Sequence, residues 1–271
     1  MEKKKGIHHG ICEKAPVLAV ILGIVIPFLV SVCTEAIGSS LIGKGAIFYL
    51  YTALIGILII VLVRLWFRPN YKGAMKLHAS AGEVVRLLIP FFVYFVVSLV
   101  LSIIFHEFGF APSFTKLCMG LSAGFGEEAM FRAATIPIGL GFIKSEKKVG
   151  ITLGITSLIF GLMHLANIQG GGALSVIALQ AFATIFMGIY LAMLFICTGS
   201  ILVPIIVHAF WDFYCFTTDI TLDNGILVQQ NITLSLALAV VVNVALGIAG
   251  IVILYKNRDK IKQIWDEKWS R

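Results

Sequence analysis

Of 271 residues, 59% are hydrophobic and only 13% charged, against about 45–50% apolar and about 25% charged in a soluble domain; with a mean hydropathy of +0.99 this excludes a soluble fold and leaves a polytopic membrane protein. The formal charge of +7 does not point to nucleic acid, because the basic residues gather at the ends of apolar runs, where they set orientation. Five cysteines, Cys12, Cys33, Cys118, Cys197 and Cys215, stand mostly in apolar runs with no C-x-x-C spacing, so they read as small buried apolar side chains and not as a disulfide framework or a thiolate metal site.

A span needs about 20 apolar residues, and eight runs qualify: about Ala15–Val32, Ala46–Phe67, Val84–Phe105, Leu117–Ile143, Val149–Ile168, Leu174–Thr198, Ser200–Asp219 and Ile232–Tyr255. The reading is an all-α bundle of about eight transmembrane helices, a single domain over residues 1–271. The first run follows a basic start but shows no small-x-small cleavage site, so it is read as a retained helix. One set of connections carries Lys3, Lys4, Lys5 and Lys14, then Arg64, Arg68, Lys72, Lys76 and Arg86, then Lys144, Lys147 and Lys148, then Lys256, Arg258, Lys260, Lys262, Lys268 and Arg271. The opposite set offers only Lys44 and Lys116. Under the positive-inside rule both termini are cytoplasmic, and the protein is a multi-pass cell-membrane protein with lipid as a partner and no nucleic acid. In the basic tail, about 256–271, Ile261, Ile264, Trp265 and Trp269 fall near one helical face; the tail either lies along the membrane surface or frays as a solvated end.

The fourth run is the unusual one. It holds Gly124-Phe125-Gly126-Glu127-Glu128-Ala129-Met130-Phe131-Arg132, although each charged group at the centre of a membrane helix costs about 2.5–3.5 kcal/mol on insertion scales. Glu128 and Arg132 are four apart and can pair on one face. Glu127 is turned about 100° away and keeps a carboxylate that Arg132 does not occupy. This assigns Glu127 as the working base, with Glu128–Arg132 making the site tolerable.

Two further spans carry titratable groups: His164, one turn after Phe160 in the fifth, and His208, one turn before Asp212 in the seventh. At 1.5 Å per residue, Glu127 lies about 15 Å from the outer end of its helix and His208 about 12 Å above the cytoplasmic end of its own. His164 comes out nearer the outer side, so the three share a level only if helices tilt or end elsewhere. A buried carboxylate is suited to general-base work, a neutral imidazole can hold water against it, and a second imidazole with an adjacent carboxylate can face an oxyanion. Glu, His and His are also a set seen at catalytic zinc. Both schemes hydrolyse a carbonyl compound. His106-Glu107 starts like a zincin helix, but position 110 is Phe110, and the pair reads as a loop feature. The glycines Gly170–Gly172 read as a loose loop, or else as a gate for a membrane-bound peptide.

Glu127-Glu128-x-x-x-Arg132, Phe160-x-x-x-His164 and His208-x-x-x-Asp212, each on its own span, resemble the CPBP family of CAAX-processing and bacteriocin-processing membrane proteases. The likeness covers about 117–218. It implies an eight-helix intramembrane endopeptidase acting on a membrane-associated peptide or protein. In it Glu127 with His164 activates water, His208 and Asp212 stabilise the oxyanion, and Glu128, Arg132 and Phe160 support them. The family is known both under a metalloprotease label and with a metal-free glutamate mechanism, so the implied cofactor is zinc on Glu127, His164 and His208, or none. Where the family has Asn or Asp, this chain has Asp212, which when ionised can only accept hydrogen bonds and so would orient or charge His208. Two other classes fit an intramembrane carboxylate: a proton-coupled transporter, although no repeated halves are visible, and a catalytically silent immunity or scaffold protein.

Overall fold

The computed structural model describes residues 10–223 and 225–270. Lys3, Lys4, Lys5 and Arg271, used above for orientation, lie outside them. In chain order the helices are α1 (Ile11–Lys14), α2 (Pro16–Ile42), α3 (Ala46–Trp66), α4 (Ala81–Ile104), α5 (Phe114–Glu128), α6 (Ile136–Phe142), α7 (Lys148–Met163), α8 (Leu174–Thr198), α9 (Leu202–Thr218), α10 (Leu234–Lys256) and α11 (Arg258–Lys268). A small hairpin of β1 (Leu222–Asp223) and β2 (Ile226–Leu227) follows α9, with Leu222 opposite Leu227. The chain is an all-α, multi-pass membrane protein.

Six of the eight expected spans are helices long and apolar enough to cross a membrane: α2, α3, α4, α7 with the 3-10 turn that continues it to Gly170, α8 and α10. Their outward faces carry side chains such as Ile26, Leu54, Val93 and Val241, the surface lipid tails would cover. α8 is the central post, and Tyr190 through Ile196 are fully enclosed. The first span runs ten residues beyond the expected Val32, to Ile42, and takes in Glu35.

The two remaining runs are the ones that carry the charges. The fourth is not one helix: α5 ends at Glu128, a π-helical turn covers Ala129–Ala133, and α6 begins at Ile136 with a proline in its first turn. Ala134 N–H reaches back five residues to the carbonyl of Ala129 at 3.0 Å, the hydrogen bond of a π-turn, a feature found mostly at functional positions. The seventh, α9, has only 17 residues. It can be short because the α8–α9 turn does not reach the surface: Ser200 and Ile201 are buried. Ile201 N–H donates to Ala74 O at 2.8 Å, His78 N–H to Thr198 O at 2.8 Å, and Ser200 Oγ to Met75 O at 2.9 Å. The start of α9 is therefore raised by protein packed beneath it. His208 stands only six residues along α9, about 9 Å, yet it meets the level of Glu127 because of this raised start, which resolves the depth mismatch.

The packing beneath is a cap built from the tail and the α3–α4 connection. Trp269 stacks among Phe67, Tyr71 and Phe142 at ring separations of 5.1–5.4 Å, and Trp265 Nε1 donates to Ile196 O at 3.0 Å. Ile261, Ile264, Trp265 and Trp269 are buried against the protein. The tail thus neither frays nor lays this face on lipid, because the ends of α3, α6 and α8 offer it an apolar seat. Lys268 is enclosed with them, its Nζ donating to Gly73 O at 2.8 Å; burial pushes its amine down to about 8.

Candidate active site

Close backbone packing sets the register of the charged residues. Gly120 and Gly124, four apart on α5, face α9: a Cβ on Gly124 would lie 2.8 Å from Ile205 O and from Ala209 Cβ. Small residues at this spacing let membrane helices approach backbone to backbone. The pair brings the end of α5, with Glu127 and Glu128, against the middle of α9, with His208.

Glu128 and Arg132 are completely buried and pair at 2.7 Å between Oε1 and Nη1. Arg132 Nη2 also donates to Gly188 O of α8 at 3.2 Å, and its guanidinium stacks over the Phe160 ring at 4.3 Å. Phe160 in turn meets Phe131, His164 and His208 edge-on at 5.0, 5.1 and 5.9 Å. It lies against the Arg132 guanidinium on one side and against both imidazoles on the other, and helps keep all of them in place.

Each histidine is held by Nδ1. His208 Nδ1 donates to Glu128 Oε1 at 2.8 Å, and His164 Nδ1 donates to the Phe160 carbonyl at 2.9 Å. A carbonyl can only accept, so the proton of neutral His164 sits on Nδ1 and its Nε2 is an acceptor. His208 Nε2 stands 3.8 Å from Glu127 Oε2 and 3.7 Å from Asp212 Oδ2. Glu127, His164, His208 and Asp212 all line one cavity of about 390 Å³, between α4, α5 and α7–α10. The imidazole within ion-pair distance of Glu127, among the described residues, is His208; His164 lines the same cavity.

Glu127, Phe160 and His164 also line a second cavity, of about 450 Å³, on the side of α2 and α3. Glu35 lies there, as do Tyr49 and the hydrogen-bonded pair Thr52–Ser122, whose hydroxyl oxygens are 2.5 Å apart. Glu127 is thus a partition residue with 32% of its side chain exposed, in contrast to the fully enclosed Glu128.

Zinc ligation by Glu127, His164 and His208 does not fit this arrangement. No three His, Cys, Asp or Glu side chains among the described residues gather as a ligand set. The five thiols are unpaired, and Cys33 is exposed where the composition suggested a buried residue.

Three polar residues escaped sequence reasoning. Glu35 was hidden by ending the first span at Val32. Glu107, read as a loop feature, lines the main cavity and accepts from Ser235 Oγ at 2.5 Å. Asn243, isolated in the apolar α10, lines it too, with Tyr94 Oη donating to its Oδ1 at 3.4 Å. An intramembrane polar residue is the signal available for Glu35 and Asn243; Glu107 needed the loop's path. The spacing of Gly120 and Gly124 was likewise readable.

A bundle that encloses a carboxylate, two imidazoles and an ion pair within its spans has the build of an intramembrane enzyme. Residues 109–214 match the family model described as type II CAAX prenyl endopeptidase, Rce1-like. That segment contains every residue of the cluster from Glu127 to Asp212, and over it the chain is similar to the CAAX-protease group. The coarse activity that follows is that of a CAAX-type intramembrane endopeptidase. No curated protein sequence and no solved structure matches the chain.

Proposed function

We propose that the protein hydrolyses a peptide bond of a membrane-associated peptide or protein, with Glu127 as general base. The observation that carries this reading is the 3.8 Å approach of Glu127 Oε2 to His208 Nε2 on the wall of a cavity within the bundle, close enough for one water to touch both. His164, with its Nε2 free to accept, receives the second hydrogen of that water and leaves an oxygen lone pair for attack. Glu127 takes the proton as the water oxygen bonds to the scissile carbonyl carbon. His208, as imidazolium, donates from Nε2 to the oxyanion; Glu128 on its Nδ1 and Asp212 beside Nε2 favour and orient that form. The C–N bond then breaks as Glu127 passes its proton to the departing amine. Every bond made or broken is accounted for by water and these side chains.

The test is product analysis in proteoliposomes by mass spectrometry. Wild-type protein yields two peptides whose masses sum to substrate plus water, with or without a chelator, and Glu127→Gln yields none while remaining helical and inserted. Undiminished cleavage by Glu127→Gln, or loss of activity on chelation that zinc restores, contradicts the mechanism.

A further inference from the structure

We infer that the tail helix α11 sets the height of His208 along the bundle, so that releasing the tail from its seat stops cleavage while the spans stay folded; this deepens, and rests on, the hydrolase reading above. Trp265 and Lys268 are the positioning residues, and they act through the α8–α9 turn. Trp265 Nε1 donates to Ile196 O, in the last turn of α8, at 3.0 Å. Lys268 holds the α3–α4 connection twice: its carbonyl accepts from Lys72 N–H at 2.8 Å and its Nζ donates to Gly73 O at 2.8 Å. The residues just past Gly73 carry the turn on their other side, through Ala74 O, Met75 O and His78 N–H. The turn also meets the tail directly. A Cβ on Gly199 would lie 2.6 Å from His78 Nδ1, 2.9 Å from Lys268 Cε and 3.0 Å from Ile264 Cγ2.

α9 needs such a stop. Gly120 and Gly124 fix how near α9 lies to α5, but without side chains they give it no ridge to lock against along its axis. The far end of α9 is tied at Thr217 O and Thr218 O to Ala111 and Gly109 N–H, in extended chain that can follow a shift of the helix. The near end abuts packed rings and backbone. A helix is stiff over the six residues from Leu202 to His208, so a displacement at the turn arrives at the imidazole undiminished. Asp212 travels with His208 on the same helix. The contacts at risk are the ones made across helices, His208 Nδ1 to Glu128 Oε1 at 2.8 Å and His208 Nε2 to Glu127 Oε2 at 3.8 Å. A slip of one residue's rise, about 1.5 Å, is enough to break the first.

The experiment releases the tail in the full-length protein with Trp265→Ala/Trp269→Ala, in proteoliposomes; where that variant does not insert, Trp269→Ala is read in the same way. Hydrogen exchange over 258–268 should speed up at least about tenfold while α8 and α10 keep their protection. The kcat should fall about 100-fold, the loss that about 1 Å of misplacement brings, with KM within about twofold. Trp265→Phe, which keeps the ring and loses the N–H, should retain at least about a third of kcat, the loss expected of one hydrogen bond. In a His208→Gln background the tail substitutions should slow single-turnover cleavage by no more than about twofold, because the group they position is gone. A tail that only supports folding would cost the same factor in both backgrounds. A readout apart from cleavage is the 15N resonance of the His208 ring, assigned with His208→Gln, which should move when Nδ1 loses Glu128. Unchanged exchange over 258–268, or a released tail with kcat and the resonance unmoved, overturns the inference, and wild-type cleavage alongside leaves the hydrolase reading standing. A resonance that moves on release in a protein whose wild type cleaves nothing upholds the positioning and sinks the hydrolase reading.

Discussion

α8 and the α5–α6 segment are both interior helices, and they solve the same problem in opposite ways. α8 has no Asp, Glu, Lys or Arg, runs unbroken from Leu174 to Thr198 and fills the centre with apolar side chains. The α5–α6 segment holds Glu127, Glu128 and Arg132, breaks into a π-turn and packs backbone against backbone on α9. Interior position therefore does not by itself distort a membrane helix here. The irregularity falls where ionised groups must find partners: Arg132 inside the π-turn reaches both Glu128 and the Gly188 carbonyl.

The strongest way to break the contrast is to make α5–α6 resemble α8 on one side only. Arg132→Met leaves Glu128 a buried carboxylate without its guanidinium and is expected to cost about 3–5 kcal/mol, read as lost thermal stability in detergent. Glu128→Met/Arg132→Met removes both charges and recovers most of that stability, but cleavage stays absent because His208 has lost the acceptor on Nδ1. Recovery of activity in the double variant would show that the pair serves folding alone. Gly124→Val acts on the seam instead: its branched Cβ meets Ile205 O and Ala209, costs about 1–3 kcal/mol, and lowers kcat/KM at least 100-fold by parting Glu127 from His208. A change confined to stability would mean that this approach does not set the catalytic geometry. Asp212→Asn is milder, with kcat falling about tenfold, on the order of 1.4 kcal/mol of transition-state stabilisation, since His208 keeps Glu128.

The smallest expected effect is at Lys268 in the cap beneath α9. Burial holds Lys268 at about 8, below an ordinary lysine near 10.4. Between these values the undocked tail binds more protons than the docked one, so docking of α11 strengthens as pH rises from about 8 to about 10.4. Hydrogen exchange over 258–270, corrected for intrinsic rates, should slow across that window, and should not do so in Lys268→Met.

Composition and apolar run length made the helical bundle and six of its eight expected spans legible, because burial in lipid demands long apolar stretches whatever the packing. The cluster Glu127, His164, His208 and Asp212 was legible for the complementary reason, since polar groups are scarce in such stretches. What depended on packing was not: the raised α8–α9 turn rests on hydrogen bonds with Ala74, Met75 and His78 that no spacing announces, and α11 read as a surface helix or a frayed end because an apolar face does not say what covers it. The partner of each imidazole was hidden too. His208 comes within 3.8 Å of Glu127, an approach that Gly120 and Gly124 make possible and that spacing along the chain does not announce.

The central claim is that Glu127 and His208 act in one step, the carboxylate on the water and the imidazolium on the oxyanion, and the measurement that bears on it most directly is the single-turnover rate of Glu127→Gln/His208→Gln beside each single variant. Groups that work as a unit are not additive, so the double variant should be no slower than the slower single one. Losses that multiply would mean that the two side chains act in separate steps, and the concerted mechanism would be wrong.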